Sequence, residues 1–162
     1  MAIKPGIQYL GVAILEGENL KWYGVKTFPG RKTIPYIRTQ VQQYLTSLLH
    51  AHEPEMLIVE EPFYAQSLLS KNLRTITEDI KTWGRWKRLR VASYLPTSVK
   101  AFFCRDRKNK DSLAEAMVER FPFLQRYLTI LPWKRRYWFH VFDAVGLALM
   151  HHYKLTRAKV NR

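Results

Sequence analysis

Cysteine is nearly absent from this chain of 162 residues: Cys104 stands alone, so no internal disulfide can form and a reducing compartment is expected. Beside Phe102 and Phe103 it reads as a buried thiol. No run of about 18 apolar residues occurs, which excludes a membrane-spanning helix, and no basic-then-apolar opening reads as a secretory signal. Glycine and proline are few, 7 and 8, and scattered singly. With no Gly/Ser-rich linker and no internal repeat, nothing divides the chain into two domains or marks it as a low-complexity array. The last scarcity is acid: 13 Asp and Glu stand against 27 Lys and Arg.

What is present is core material and positive charge. With 47% hydrophobic and 14% aromatic residues, a chain of single-domain length can bury a sizeable core, so intrinsic disorder is excluded. The formal charge of +14 and an isoelectric point near 10.1 call for a polyanion. A membrane-surface helix would gather its basic residues on one face of one segment. Here they run through the whole chain, which favours nucleic acid over an anionic membrane; a merely soluble basic protein is the bland alternative.

The order of elements narrows the fold class. Residues Ile7 to Leu15 and Leu20 to Phe28 are β-branched and aromatic, with Glu16-Gly17-Glu18-Asn19 between them, a hairpin composition. Apolar residues at Ile34, Ile37, Val41, Leu45, Leu48 and Leu49 follow a helical period, with Thr33 as a cap. Met56 to Val59 reads as a buried strand ending at two acids. Leu69, Leu73, Ile76, Ile80 and Trp83 form a second helical stripe, Val91 to Leu95 another strand, and Pro96 opens a short helix through Phe103. Asp111 or Ser112 starts a further helix, and a last one runs from about His140 to Tyr153, followed by a basic tail over 154–162 that reads as frayed. The expected fold is α/β: a mixed sheet with an antiparallel hairpin edge, parallel strands, and helices on both faces.

Three clusters carry chemistry. Ile3-Lys4-Pro5-Gly6, with Gly11 after it, is a tight turn at the mouth of the first strand. Glu60 and Glu61 end a buried strand, where open α/β sheets place ligands. His140 and Asp143, three residues apart, share a helix face. Converging carboxylates suit a divalent metal that activates water for phosphodiester hydrolysis. Each also has a plain structural reading: a solvated strand end for Glu60, an idle helix residue for His140, a dipole complement for Asp143, and only a turn around Lys4.

Taken in order, these blocks resemble the RuvC family of Holliday-junction endonucleases, which have a ribonuclease H-like fold. That family opens with Asp-Pro-Gly and a Gly four or five residues on; Lys4-Pro5-Gly6 and Gly11 fit except at the first residue. An apolar strand ending in Glu with a Phe three residues later is matched by Ile58-Val59-Glu60 and Phe63. Its Tyr-x-x-x-x-Val-Lys followed by a basic loop is matched by Tyr94 to Lys100 and by Arg105 to Lys110. Its Asp or His, two residues, Asp-Ala, then an apolar helix ending in His, is matched from His140 to His151.

The resemblance implies that Glu60, His140 and Asp143 stand at three of four catalytic positions that bind Mg²⁺ or Mn²⁺. It places Lys100 and Lys110 against the scissile phosphate or DNA backbone, Lys100 with a catalytic role, and Phe63 as a wedge at the centre of the junction. It also implies a homodimer on branched DNA, acting in recombination and repair in the cytoplasm on the nucleoid. Lys4 is the departure. It replaces the first carboxylate with a cation, and two like charges near 4 Å repel by roughly 4 kcal/mol at an effective dielectric of about 20. Metal is therefore expected to be weakened or absent, with either an ion held by Glu60, Asp143 and His140 or the ammonium itself in the vacant place, and cleavage to be weakened or lost while junction binding persists. Glu61 is no substitute, since neighbouring strand residues face opposite sides; Asp106 on the basic loop is a conceivable one.

Beyond the site, basic and aromatic residues alternate in 81–90, 105–110 and 133–138, which suits phosphate contacts with base stacking. Arg105, Arg107, Lys108, Lys110, Lys134, Arg135 and Arg136 are the candidate DNA contacts, while in 81–90 a core Trp83 inside a solvated rim competes with that reading. The helix from Leu69 to Trp83 is the candidate dimer interface. His151 and His152 read as packing or surface residues rather than ligands. The rival functions are a non-catalytic junction-binding protein and, on composition alone, an RNA-binding module.

Overall fold

The computed structural model describes the chain apart from residues 29, 31–32, 64–66, 105–110, 131 and 161–162, and the side chains of 132, 133, 135 and 159. Its centre is a five-stranded sheet built from β1 (Ala2–Lys4), β2 (Tyr9–Glu16), β3 (Asn19–Thr27), β4 (Met56–Glu60) and β5 (Arg90–Tyr94), in the spatial order β3-β2-β1-β4-β5. The β1–β2 and β2–β3 pairs are antiparallel, β1–β4 and β4–β5 parallel. The mixed sheet with a hairpin edge is the one expected. The three-residue β1 is the addition: Pro5-Gly6 is a turn after a strand, and that strand sits in the middle of the sheet.

Around it lie α1 (Ile34–His52), α2 (Leu68–Trp86), α3 (Pro96–Phe103), α4 (Ser112–Arg120), a 3-10 turn (Pro122–Leu124), α5 (Gln125–Leu128) and α6 (Pro132–Val160). Thr33 caps α1 as its side chain accepts from the Tyr36 N–H at 3.4 Å. The last helix starts two turns before His140 and continues through the residues that read as a tail. Lys154 lies 4.5 Å over the Tyr94 ring and Arg157 5.5 Å over Phe102, so its last turns pack through cation–π contacts. Among the described residues no helix is long and apolar enough to cross a membrane.

The strand period of two sorts the core into two layers. Ile3, Leu57 and Val59 face one way, against Ile37, Val41 and Leu45 of α1 and Ile76 and Ile80 of α2. Ala2, Ala13 and Ile58 face the other, against Val141, Phe142, Val145 and Leu149 of α6 and Leu113 and Met117 of α4. The small residues on this second face let α6 come close. A Cβ added at Gly11 would stand 2.0 Å from the His140 carbonyl oxygen, so only glycine accommodates the helix there. Counting on by two, Lys4 follows Ala2 and Glu60 follows Ile58. Both are thereby directed to the α6 face, and Glu61 to the α2 face.

Candidate functional site

The parallel register Ala2↔Ile58 and Ile3↔Val59 brings Lys4 beside Glu60 at the carboxyl ends of β1 and β4. Above them α6 supplies His140 and Asp143, one turn apart. The Lys4 ammonium bonds the Glu60 carboxylate and lies 3.8 Å from Asp143 Oδ2. Glu60 is 2% exposed, and its burial raises its pKa. The Lys4 charge opposes that shift, Asp143 adds to it, and Lys100 opposes it from α3. Burial also raises Asp143, with Lys4 and Lys100 pulling it back. Lys100 is exposed, yet its charge reaches both acids, so the structure brings all four residues into one electrostatic unit.

His140 stands beside this unit as a neutral ring. Burial first, then the charges of Lys4 and Arg136, hold its pKa down to about 4. Its Nδ1 is buried and has no hydrogen-bond partner among the described residues. Tyr9 packs on it with centroids 5.5 Å apart, and Tyr137 packs edge-on to Tyr9 at 5.6 Å. Tyr9 is the site residue that sequence reasoning missed. The signal was there: Tyr9 lies two residues before Gly11 on β2, on the strand face that meets α6.

Do these residues suit a divalent metal? A cation held by Glu60 and Asp143 would need the space between them, and the Lys4 ammonium stands there. Among the described residues no group of three or more His, Cys, Asp or Glu side chains is arranged to hold a metal ion. The donor set is that of an internal ion triad and does not fit a metal. Glu61 is on the other face, bonded by Lys81 Nζ at 3.0 and 3.3 Å, so it adds nothing to the site.

No protein-family model and no curated protein matches the chain. Solved structures do. One is T. thermophilus RuvC in complex with a Holliday junction substrate, with a TM-score of 0.75 at 20% identity over 96% of this chain and 93% of that one. Another is the Thermus thermophilus RuvC structure, at 0.73 and 22% over 97% and 95%. The fold is that of RuvC.

Within the RuvC fold the other predicted residues separate. Phe63, three residues past Glu60, is 63% exposed. Lys134 and Arg136 are exposed in the first turns of α6, close in sequence to His140; the side chain of Arg135 and all of Arg105, Asp106, Arg107, Lys108 and Lys110 lie outside the described residues. Cys104 is only half-buried. His151 is buried, with Nδ1 2.8 Å from the Tyr94 hydroxyl and Nε2 3.1 Å from Met56 Sδ, so it packs at the far end of α6.

Proposed function

We propose that this chain binds branched DNA, four-way junctions above all, on the surface around Lys4, Phe63 and Lys100, and that it does so without cutting by metal-assisted hydrolysis. The observation that carries this reading is the Lys4 ammonium between Glu60 and Asp143. RuvC of the same fold has been seen with a Holliday junction substrate, which supports the choice of nucleic acid. The charge of +14 supplies the affinity for phosphate. Exposed Lys100, Lys134 and Arg136 are the proposed phosphate contacts, joined by Arg135 and the basic residues of 105–110. The exposed Phe63 ring is suited to insert where a base step opens, as apolar wedges do at kinked DNA. A location on the nucleoid follows from the same reading.

Two-fold symmetry in a four-way junction is most simply met by a two-fold dimer. Leu68 and Leu69, exposed at the start of α2, are the proposed contact. Leu69→Lys is expected to convert a dimer to a monomer in sedimentation.

The deciding experiment compares the native chain with Lys4→Asp on a labelled four-way junction in Mg²⁺ or Mn²⁺. The native chain is expected to shift the junction and leave it whole. Lys4→Asp, which restores a third carboxylate, is expected to gain a Mn²⁺-dependent rise in melting temperature and some cleavage. Efficient cutting by the native chain would return Glu60, Asp143, His140 and Lys100 to the catalytic roles that the resemblance implies. Failure to prefer four-way DNA over duplex DNA and structured RNA would remove the junction reading.

A further inference from the structure

The basic and aromatic stretch over 81–90 is divided by the structure. Lys81 is buried, bonded to Glu61 and held 2.6 Å from Glu78; Trp83 is buried against the sheet, and a Cβ at Gly84 would meet Leu57 at 2.3 Å. These three belong to the interior. Arg85, Trp86, Arg88 and Arg90 are exposed and Lys87 half-buried, so four cations and one indole share the corner where α2 turns into β5. Trp86 is 71% exposed, with Lys87 Nζ 4.4 Å above its ring.

One feature of this corner is unexplained by folding, and a second bears on how to test it. Burying a tryptophan is among the largest single gains available to a chain of this size, and this one lies open. Arg88 has φ 62, and it occupies the left-handed position that ends α2, with Leu89 N–H donating to Gly84 O and Arg88 N–H to Arg85 O. Glycine fits that position without strain, whereas an L side chain there costs about 1 kcal/mol. The left-handed residue is a way this chain ends helices, since Glu53 does the same after α1, but the open indole among cations makes sense if it is kept for a ligand. The charge sets its sign: Glu55, 3.6 Å from Arg90, is the one acid paired to this group among the described ion pairs.

The corner is remote from Lys4. Arg90 pairs with Met56, at the opposite end of β4 from Glu60, and four strand steps span about 13 Å. We infer that Arg85, Trp86, Lys87, Arg88 and Arg90 form a second nucleic-acid contact, for an unpaired strand, in which Trp86 stacks on a base and the cations meet the phosphates on either side. An exposed indole selects an unpaired strand because a duplex hides its base faces. The inference rests on the nucleic-acid reading above and extends it: branched substrates with a single-stranded arm would be held at both ends of the sheet.

The test uses oligo-dT and oligo-rU of about 15 nucleotides, within the usual span of such sites, a fully paired four-way junction, and anionic phosphatidylglycerol vesicles. Trp86→Ala is expected to weaken oligo-dT binding about tenfold or more. Arg88→Gly, which relieves the backbone and so keeps the fold, is expected to lower the salt slope by about 0.7. Junction affinity should be unchanged in both variants. Oligo-rU bound as well as oligo-dT supports a contact made through stacking and phosphate alone; rU bound in preference makes RNA the strand served. Unchanged oligo-dT affinity in both variants, or Trp86-dependent binding of vesicles with none of oligo-dT, overturns the inference and leaves the junction reading standing. Loss of all nucleic-acid binding by the native chain removes both.

Discussion

Lys4 is held by two acids, and Glu60, almost without exposure, is held by its bond to Lys4 with the Lys100 charge behind it. Lys4→Met strands the carboxylate in the sheet, and breaking a buried pair from one side costs about 3 kcal/mol. The loss has a pH signature. The folded Glu60 pKa, already raised by burial, rises further without Lys4. The stability it carries is present at low pH and lost as pH rises through that value. Melting of Lys4→Met should therefore trail the native protein most at pH 8 and least near pH 5. His140 works with the opposite sign. Its folded value of about 4 lies below the ordinary 6.5, so the unfolded chain takes up a proton first. Stability present above pH 6.5 then drains away as pH falls towards 4, by at most about 3 kcal/mol. His140→Gln should flatten that window in urea unfolding measured from pH 7 to 4. At this scale the sequence was most legible. Lys4, Glu60, His140 and Asp143 stand out by order and spacing, and an ammonium in the ion's place is one of two occupants the sequence leaves open; β1 is too short to show a strand period and so to choose between them.

Among the elements, the contact of β2 with α6 fixes the site more than any side chain does. Gly11→Ala would drive a methyl group into the His140 backbone, where nothing flexible can give way. A cost of about 3 kcal/mol is expected, at the upper end for overpacking, with loss of the Tyr9–His140 ring contact seen by NMR. The ion cluster of Lys81 with Glu61 and Glu78 ties α2 to the end of β4 on the other face. The hairpin, β5, α3 and the start of α1 are readable to within about two residues, since alternation, a threonine cap and a proline mark them. The start of α6 was not, because Pro132 to Phe139 is basic and aromatic with no apolar stripe to count. The 3-10 turn and α5 lacked any such stripe as well. The end of α6 was missed because cation–π contacts, invisible to a hydrophobic period, hold Lys154 and Arg157 to neighbouring rings.

Across the whole molecule, the sheet separates two pieces of chemistry: the Lys4 triad at the carboxyl ends of β1 and β4, and the Trp86 corner at the amino ends of β4 and β5. Alternation along β4 divides the two adjacent acids, sending Glu60 to the first and Glu61 to a structural cation. Layering of this kind follows from the strand period and was foreseeable; the separation of 81–90 into interior and surface was not, because one helix carries both. The surplus of positive charge has a further consequence through Lys4. A metal ion at such a site would exchange with solution, and its occupancy would follow supply. A lysine is a counter-ion fastened to the backbone, present at one per chain whatever the medium holds. The cleft should therefore keep its charge in a chelating buffer: EDTA is expected to leave both the melting temperature and the junction affinity of the native chain unchanged, and to lower the melting temperature of Lys4→Asp loaded with Mn²⁺. The chain would carry its own permanent cation where a hydrolase must borrow one.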